Sequence, residues 1–394
     1  MPSSSKSQDR PLILDIGSNT FRMGWAGDDF PDIIAPSVYV DQSDFLFTSD
    51  VLEGLEEIYL QNVEQEYLVG HAALKYQHIL KLHEFKKENN YNLLLKFFYY
   101  YYQQLGIEEK FLFKQPLIIL TSFNTSDIEK EKYKEIFLES LGFPRLLFLS
   151  DNQAILSTMQ KTSGVIINIG ESSTLISTIF HGFTNIMAKD VFPISSKDLT
   201  NYLLTLLISK KLFEENLYID ENIAKEIKER YSLCALHPEE EIKKVKEGLT
   251  KYDRMITLPN NLKVKINVER IQVSEPLFDP KIIHVDYMSL AEAISKVIKA
   301  WDRENWEELI PNIILAGGGS LINGLAERLK IELMRYFSEK IKNKINVIAP
   351  SGRENMAWIG ASILYSKEQL NKGWIENPKK KDEIATEEME EIEE

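Results

Sequence analysis

The amino-acid sequence predicts an α/β fold made of two duplicated lobes, each with a mixed sheet flanked by helices. Three observations support this prediction. Two glycine-bearing hairpin patterns resemble each other, strand and helix patterns alternate along the chain, and a third glycine cluster follows a later strand pattern. A repeated supersecondary pattern indicates duplication of a structural unit, and strand–helix alternation is typical of α/β sheets.

The internal repeat relates Leu14–Phe21 to Ile167–Thr174. Each segment has an apolar strand pattern followed by Asp or Asn, then Ile, Gly and a run of polar residues. Each continues into a second strand, Phe21–Ala26 in the first case and Thr174–Phe180 in the second. A turn with glycine between two such strands predicts a β-hairpin. Duplication of a lobe is one interpretation, and chance similarity between two short hairpins is the alternative.

Strand and helix patterns alternate between and after the two hairpins. Pro116–Leu120 is a short apolar run suited to a buried strand. Ser126–Glu129 has the pattern of a capping box, which predicts the start of a helix that Gly142 ends. Leu147–Leu149 and Asn312–Leu315 are further strand candidates. The order of these elements favours α/β lobes with mixed sheets.

Composition shifts along the chain predict its domain organisation. We expect a flexible N-terminus (residues 1–10), a first lobe (11–155 and 345–376, with a small insertion at about 38–75), a second lobe (156–344, with a helical subdomain at about 200–275) and an acidic tail (377–394). The tail is expected to be disordered, because Asp382–Glu394 contains eight acidic residues and no basic one.

Composition also limits the classes of function. Apolar residues make up 44% of the sequence, which is enough for a sizeable core. The net charge of −14 argues against direct binding to nucleic acid. A single cysteine, Cys234, excludes an intramolecular disulfide. Because no apolar run has membrane-spanning length and the N-terminus is polar, we expect a cytoplasmic protein with no membrane span, with the nucleus as an alternative.

The glycine turns indicate a chemistry for the predicted hairpins. Two such turns that face each other can hold a phosphate chain, because glycine lets backbone N–H groups approach the phosphate oxygens. The third cluster, Ala316–Ser320, lies between a strand and a helix, where a phosphate or a flat ring can approach the backbone. A single glycine triplet is weak evidence, but a triplet in a chain with two matched hairpins is stronger.

Several motifs together resemble actin and the actin-related proteins, over nearly the whole chain from Leu12 to Ile375. The segments that carry the resemblance are Asp15–Asp28 (first phosphate loop), Gln153–Ser157, Asn168–Ser172 (second phosphate loop), Ser196–Leu203, Glu226–Arg230, Leu258–Phe278, Ala316–Ser320 (adenosine loop) and Trp358–Ile363. The shared ATPase fold of sugar kinases and heat-shock chaperones would explain the three loops, but not Leu258–Phe278 or the Trp358 segment.

The resemblance implies an actin-like ATPase fold that binds ATP or ADP, with Mg²⁺ or Ca²⁺, in a central cleft. It also implies roles for individual residues. The phosphates would be contacted from one side by Gly17, Ser18, Asn19 and Arg22, and from the other side by Gly170, Glu171 and Ser172. Asp15 would hold metal-bound water, Gln153 would orient the attacking water, and Asn168 would lie near the metal as a third catalytic residue. The ribose or base would be contacted by Lys228 and Glu229, and the nucleoside would pack against Gly317, Gly318 and Gly319.

Some residues depart from the family pattern. Asn168 replaces the usual Asp, and an amide neither ionises nor acts as a base. Ser172 and Ser196 replace glycines, and Glu354 stands where actin has a basic residue near the adenine. The acidic insertion near residues 41–68 does not match the actin loop that contacts the next subunit. These departures predict weak hydrolysis and altered filament contacts.

The leading functional hypothesis is nucleotide-dependent assembly by a divergent actin-like protein with weak ATPase activity. Its partners would be the nucleotide and either further copies of the chain in a filament or other subunits of a complex. One alternative is a non-polymerising actin-related subunit of a cytoskeletal or chromatin-remodelling complex, in which the nucleotide is structural. Another alternative is a small-molecule kinase of the same ATPase superfamily.

Overall fold

The computed structural model describes residues 10–45, 67–77, 79–88, 90–209, 220–258 and 263–379. Residues 1–9, most of the predicted insertion (46–66) and the acidic tail from residue 380 therefore lie outside the described residues. The chain divides into two compact units. The first contains the described residues up to Thr158 and from Ala357 onward, and the second contains Met159–Met356.

The strands are numbered in chain order. They are β1 Leu12–Ile16, β2 Thr20–Trp25, β3 Ile33–Pro36, β4 Val38–Phe45, β5 Tyr67–Val69, β6 Leu80–Glu84, β7 Leu117–Thr121, β8 Arg145–Ser150, β9 Gly164–Ile169, β10 Thr174–Phe180, β11 Phe183–Phe192, β12 Arg254–Thr257, β13 Lys263–Ile266, β14 Ile313–Ala316, β15 Val347–Ile348 and β16 Ile375–Glu376.

The α-helices of the described chain are numbered in the same way. They are α1 His71–Leu74, α2 Phe85–Glu88, α3 Tyr91–Gln104, α4 Asp127–Lys134, α5 Asp151–Thr158, α6 Ser196–Ser209, α7 Glu221–Tyr231, α8 Pro238–Lys246, α9 Glu269–Gln272, α10 Leu290–Lys299, α11 Trp306–Leu309, α12 Leu325–Met334, α13 Glu339–Lys342 and α14 Met356–Ser366. A π-helical segment, Glu135–Ser140, continues α4.

The first unit is built on a six-stranded sheet in the order β16-β8-β7-β1-β2-β3. β1 pairs with β2 in an antiparallel ladder and with β7 in a parallel one. Both faces of β1 are covered: Leu12 and Leu14 belong to one apolar cluster and Ile13 to another. A strand buried on both faces has a nearly continuous apolar sequence, as Leu12–Leu14 does here. A smaller sheet, β5-β4-β6, accompanies the main one.

The second unit contains a five-stranded sheet in the order β11-β10-β9-β14-β15 and a separate hairpin, β12-β13. Its strand plan repeats that of the first unit. In each sheet, three antiparallel strands joined in sequence are followed by two parallel strands that arrive later in the chain. β9 thus has the position in the second sheet that β1 has in the first. The predicted duplication is confirmed by this shared topology.

Local sequence signals account for several elements. The Ser126 hydroxyl accepts a hydrogen bond from the Glu129 N–H at 3.1 Å, so the predicted cap at the start of α4 is confirmed. Gly142 follows the helical segment with a φ of 77°, a conformation that glycine adopts at little cost. α10 buries most of one face, including Leu290 and Ile294, as its amphipathic pattern predicts.

The C-terminal segment completes the first unit. Trp358, at the start of α14, is fully buried, and its indole Nε1 donates to the Ile13 carbonyl at 3.2 Å. Gly360 packs so closely on Ala154 that a side chain would overlap the Ala154 carbonyl. Residues 345–356, by contrast, lie with the second unit, because β15 pairs in parallel with β14. The sequence assigned them to the first lobe.

No helix within the described ranges is both long and apolar enough to cross a membrane. Helix α3 contains a run of aromatic residues, Phe97–Tyr102, that contributes to the core. Phe97, Phe98, Tyr101 and Tyr102 are buried in the core of the first unit.

Candidate functional site

The first glycine turn connects β1 to β2. The Gly17 N–H donates to the Thr20 carbonyl at 3.1 Å, which closes a tight turn with Ser18 and Asn19 at its centre. A Cβ atom on Gly17 would lie 2.6 Å from the Thr20 oxygen, so the turn requires glycine. The Asn19 carbonyl accepts from the Ser37 N–H at 2.9 Å, which fixes the turn to the end of β3.

The second glycine turn connects β9 to β10 and has the same hydrogen bond. The Gly170 N–H donates to the Ser173 carbonyl at 2.9 Å, with Glu171 and Ser172 at the centre of the turn. A Cβ atom on Gly170 would lie 3.0 Å from the Ser173 oxygen. The two predicted phosphate loops therefore share one backbone plan.

A cross-strand ion pair lies beside the first turn. Asp15 and Arg22 are direct partners in the β1–β2 register, and an Arg22 guanidinium nitrogen lies 2.9 Å from Asp15 Oδ2. The Arg22 side chain is buried. The corresponding pair in the second hairpin is Asn168 and Leu175, which carry no charge. The same backbone position therefore holds an ion pair in one unit and a neutral pair in the other.

Gln153 follows β8, at the edge of the first sheet where β1 also ends. Since β1, β7 and β8 are parallel, the first turn and the start of α5 lie at the same edge, two strand spacings or about 10 Å apart. Gln153 is exposed at this edge. Two polar groups that the sequence analysis missed adjoin these residues: Asn152 precedes Gln153, and the Ser37 N–H bonds to the first turn. The Asn152 side-chain oxygen and the Ser37 hydroxyl are buried and lack a hydrogen-bond partner within the described chain.

Asn168 and the glycine triplet lie together in the second unit. β9 and β14 pair so that Asn168 is opposite Ala316, and a Cβ atom on Gly317 would overlap Asn168 Oδ1. Gly319 packs against Ser196 in the same way. Gly318 differs, because a Cβ atom there meets nothing within 4 Å. The exposed backbone at Gly318 is therefore the part of the triplet that a ligand can approach.

Arg353 holds the glycine triplet in place, and sequence reasoning missed it. Its guanidinium donates to the Ser320 hydroxyl at 3.0 Å and to the Ser320 carbonyl at 2.8 Å. The Gly317 N–H donates to the Arg353 carbonyl at 3.2 Å. A basic residue directly after the Pro350–Gly352 turn is the signal that points to it.

The second turn is fixed to the helices that follow it. The Gly170 carbonyl accepts from the Ser196 N–H at 2.9 Å at the start of α6. The Glu171 carboxylate pairs with Lys225 of α7 at 3.4 Å. Burial by itself raises the pKa of Glu171, but Lys225 and Lys228 outweigh burial, and the net pKa lies below its usual range. Glu171 is therefore ionised at neutral pH and paired with lysine.

Lys228 was predicted to meet the nucleoside, but the structure gives it protein partners. Its ammonium group donates at 2.7 Å to the Ser196 carbonyl, the Ser196 hydroxyl and the Thr200 hydroxyl. These bonds use all three of its N–H donors. Burial lowers the pKa of Lys228 to about 8. Lys228 therefore positions Ser196 and, through it, the second turn, whereas the neighbouring Glu229 is exposed.

The residues around the turns suit an anion better than a cation held by the protein. Within the described ranges no group of three or more His, Cys, Asp or Glu side chains is arranged to hold a metal ion. The Asp15 carboxylate is paired with Arg22, and Asn168 supplies an amide in place of a second carboxylate. The described side chains therefore offer no cluster of direct metal ligands, and the role of Asp15, which is to hold metal-bound water, stays a prediction.

The duplicated sheets, with glycine turns at the ends of parallel strands, define the actin-like ATPase fold. Comparisons with known proteins identify the family. The family model described as Actin matches residues 6–380. The chain is also 28% identical to an actin-like protein of Neurospora crassa over 372 residues, which cover 93% of each chain. The protein belongs to the actin family.

Proposed function

We propose that this actin-family protein binds ATP or ADP through its two glycine turns and its glycine triplet, and that the bound nucleotide biases its assembly. The observation that carries the proposal is the matched geometry of the two turns. Gly17 and Gly170 donate the same turn-closing hydrogen bond at the same point of two duplicated hairpins. Each turn has an exposed or half-exposed tip, and a turn of this kind can offer backbone N–H groups to a phosphate.

The nucleoside would be held by the second unit. Gly318 offers open backbone, while Gly317 and Gly319 are packed against β9 and α6. Leu321, directly after the triplet, leaves 45% of its surface exposed, and it supplies an apolar contact for a base. In this proposal the glycine turns would contact the phosphates, and the glycine triplet would contact the base.

Hydrolysis is expected to be weak. Gln153, in the first turn of α5, would orient the attacking water, but Asn168 cannot accept a proton as a carboxylate does. Phosphoryl transfer depends on such positioning and on charge stabilisation. The neutral Asn168 and the paired Asp15 also favour the second candidate function, in which the nucleotide is structural and the protein is a non-polymerising subunit of a cytoskeletal or chromatin-linked complex.

Assembly into filaments would place the protein in the cytoskeleton of the cytoplasm, and a subunit role would also allow the nucleus. The actin family binds a nucleotide with Mg²⁺ or Ca²⁺, so the cation is expected to accompany ATP in the cell.

The first experiment combines light scattering and electron microscopy on the purified protein with ATP and Mg²⁺, over a range of concentrations and salt. Phosphate release is followed in the same sample. Filaments above a critical concentration support the assembly function. A persistent monomer with bound nucleotide and negligible phosphate release supports the subunit function.

The nucleotide site is tested by Gly318→Val, with bound nucleotide measured by calorimetry. The new side chain enters open space, so we expect nucleotide affinity to fall while the thermal midpoint stays unchanged. Affinity equal to that of the wild type would contradict the proposed site. The exposed Asn371→Asp change is the control and should leave binding unaltered.

A further inference from the structure

The charge of the first turn is already balanced by the protein. Arg22 is buried, its guanidinium lies 2.9 Å from Asp15 Oδ2, and the two residues face each other across the hairpin. A carboxylate paired in this way attracts a second cation less strongly, because the guanidinium cancels most of its field.

The second turn offers no free carboxylate either. Asn168 is neutral, and Glu171 is paired with Lys225 at 3.4 Å, with the Lys228 ammonium also close enough to lower the Glu171 pKa. Mg²⁺ in nucleotide sites is usually held by one or two carboxylates together with the phosphates. In the described parts of this chain, the positions beside both turns carry either an ion pair or an amide.

We propose that this protein holds its nucleotide with little dependence on a divalent cation, because, among the described residues, neither glycine turn has beside it an unpaired carboxylate that could bind one. The inference rests on the nucleotide site proposed above. A cation that arrives with ATP would be bound by the phosphates alone, with no carboxylate of the protein to bridge to. Its removal would therefore break no protein–metal contact.

The experiment measures ATP affinity of the full chain by calorimetry, once in Mg²⁺ and once in EDTA at equal ionic strength. We expect the two dissociation constants to agree within about tenfold. A larger loss of affinity in EDTA would overturn the inference while leaving the proposed nucleotide site intact. Absence of binding in both buffers would reject the nucleotide site, and the inference with it.

A variant that adds a carboxylate tests the physical cause of the weak dependence on a divalent cation. Asn168→Asp adds a carboxylate beside the second turn, so we expect ATP affinity in EDTA to fall by at least about tenfold while affinity in Mg²⁺ is retained. The exposed Asn371→Asp variant adds the same charge elsewhere and should keep the wild-type ratio. An unchanged ratio in Asn168→Asp, with a normal thermal midpoint, would contradict the role assigned to these positions.

Discussion

The two glycine turns have the same backbone and different charges. Each closes with a Gly N–H to a carbonyl three residues later, and each follows a strand that pairs in parallel with a later one. Beside the first turn lies the Asp15–Arg22 ion pair, and the matching positions of the second hold Asn168 and Leu175. Backbone geometry is thus shared by the two units, while the charged side chains that would tune a ligand differ.

The largest expected loss of stability comes from a substitution in the tightly packed glycine triplet. In Gly317→Ala, the Cβ atom would overlap Asn168 Oδ1 and the Ile169 carbonyl at a φ of 81°, so we expect a loss of about 3 kcal/mol in the free energy of unfolding. Urea denaturation measures it. Gly318→Ala is the matched control in open space, and a loss as large as that of Gly317→Ala would contradict the packing described here.

The next effect compares the ion pairs of the two turns. Arg22→Met removes a buried partner of Asp15, and we expect the free energy of unfolding to fall by about 2 kcal/mol. Lys225→Met removes a more exposed partner of Glu171, and we expect the free energy of unfolding to fall by about 0.5 kcal/mol. Chemical denaturation of both variants, with Arg22→Lys as a further control, measures the difference. Equal losses would remove the contrast between the turns.

A smaller difference is expected between the two turn glycines themselves. Gly17→Ala places Cβ 2.6 Å from the Thr20 oxygen, whereas Gly170→Ala places it 3.0 Å from the Ser173 oxygen. We expect the first variant to be less stable than the second by about 1 kcal/mol, because the closer contact forces a larger backbone shift. Thermal unfolding of the two variants side by side tests this order, and the reverse order would contradict it.

The smallest effect is a dependence of stability on pH, which we assign to Lys228 of the second unit. Burial lowers the pKa of Lys228 to about 8 in the folded protein, below that of a lysine in the unfolded chain. The unfolded state therefore binds more protons above pH 8, and stability rises with pH by up to about 1 kcal/mol between pH 8 and pH 9. Denaturation at both values measures the rise. Lys228→Met should abolish it, and persistence of the rise in that variant would assign it to another group.

Much of the fold follows from local patterns in the sequence. The two hairpins, the capped start of α4 and the amphipathic face of α10 arise from residues close in sequence, so their signals can be read directly. The partnership of Asp15 with Arg22 belongs to the same class, because the length of a hairpin turn sets the cross-strand register. The sequence reading assigned the two residues to different ligands instead, although the register already predicts a pair.

The sequence alone therefore determined the class of fold, the duplication and the places of the glycine turns, since backbone geometry and hydrophobic period are local properties. Only the tertiary structure decided that Lys228 bonds to Ser196 and Thr200, that Arg353 clamps Ser320, and that residues 345–356 join the second unit. These contacts join segments far apart in the chain. Their partners are selected by parallel strand pairing and by the need of buried polar groups for hydrogen bonds, which no local pattern records.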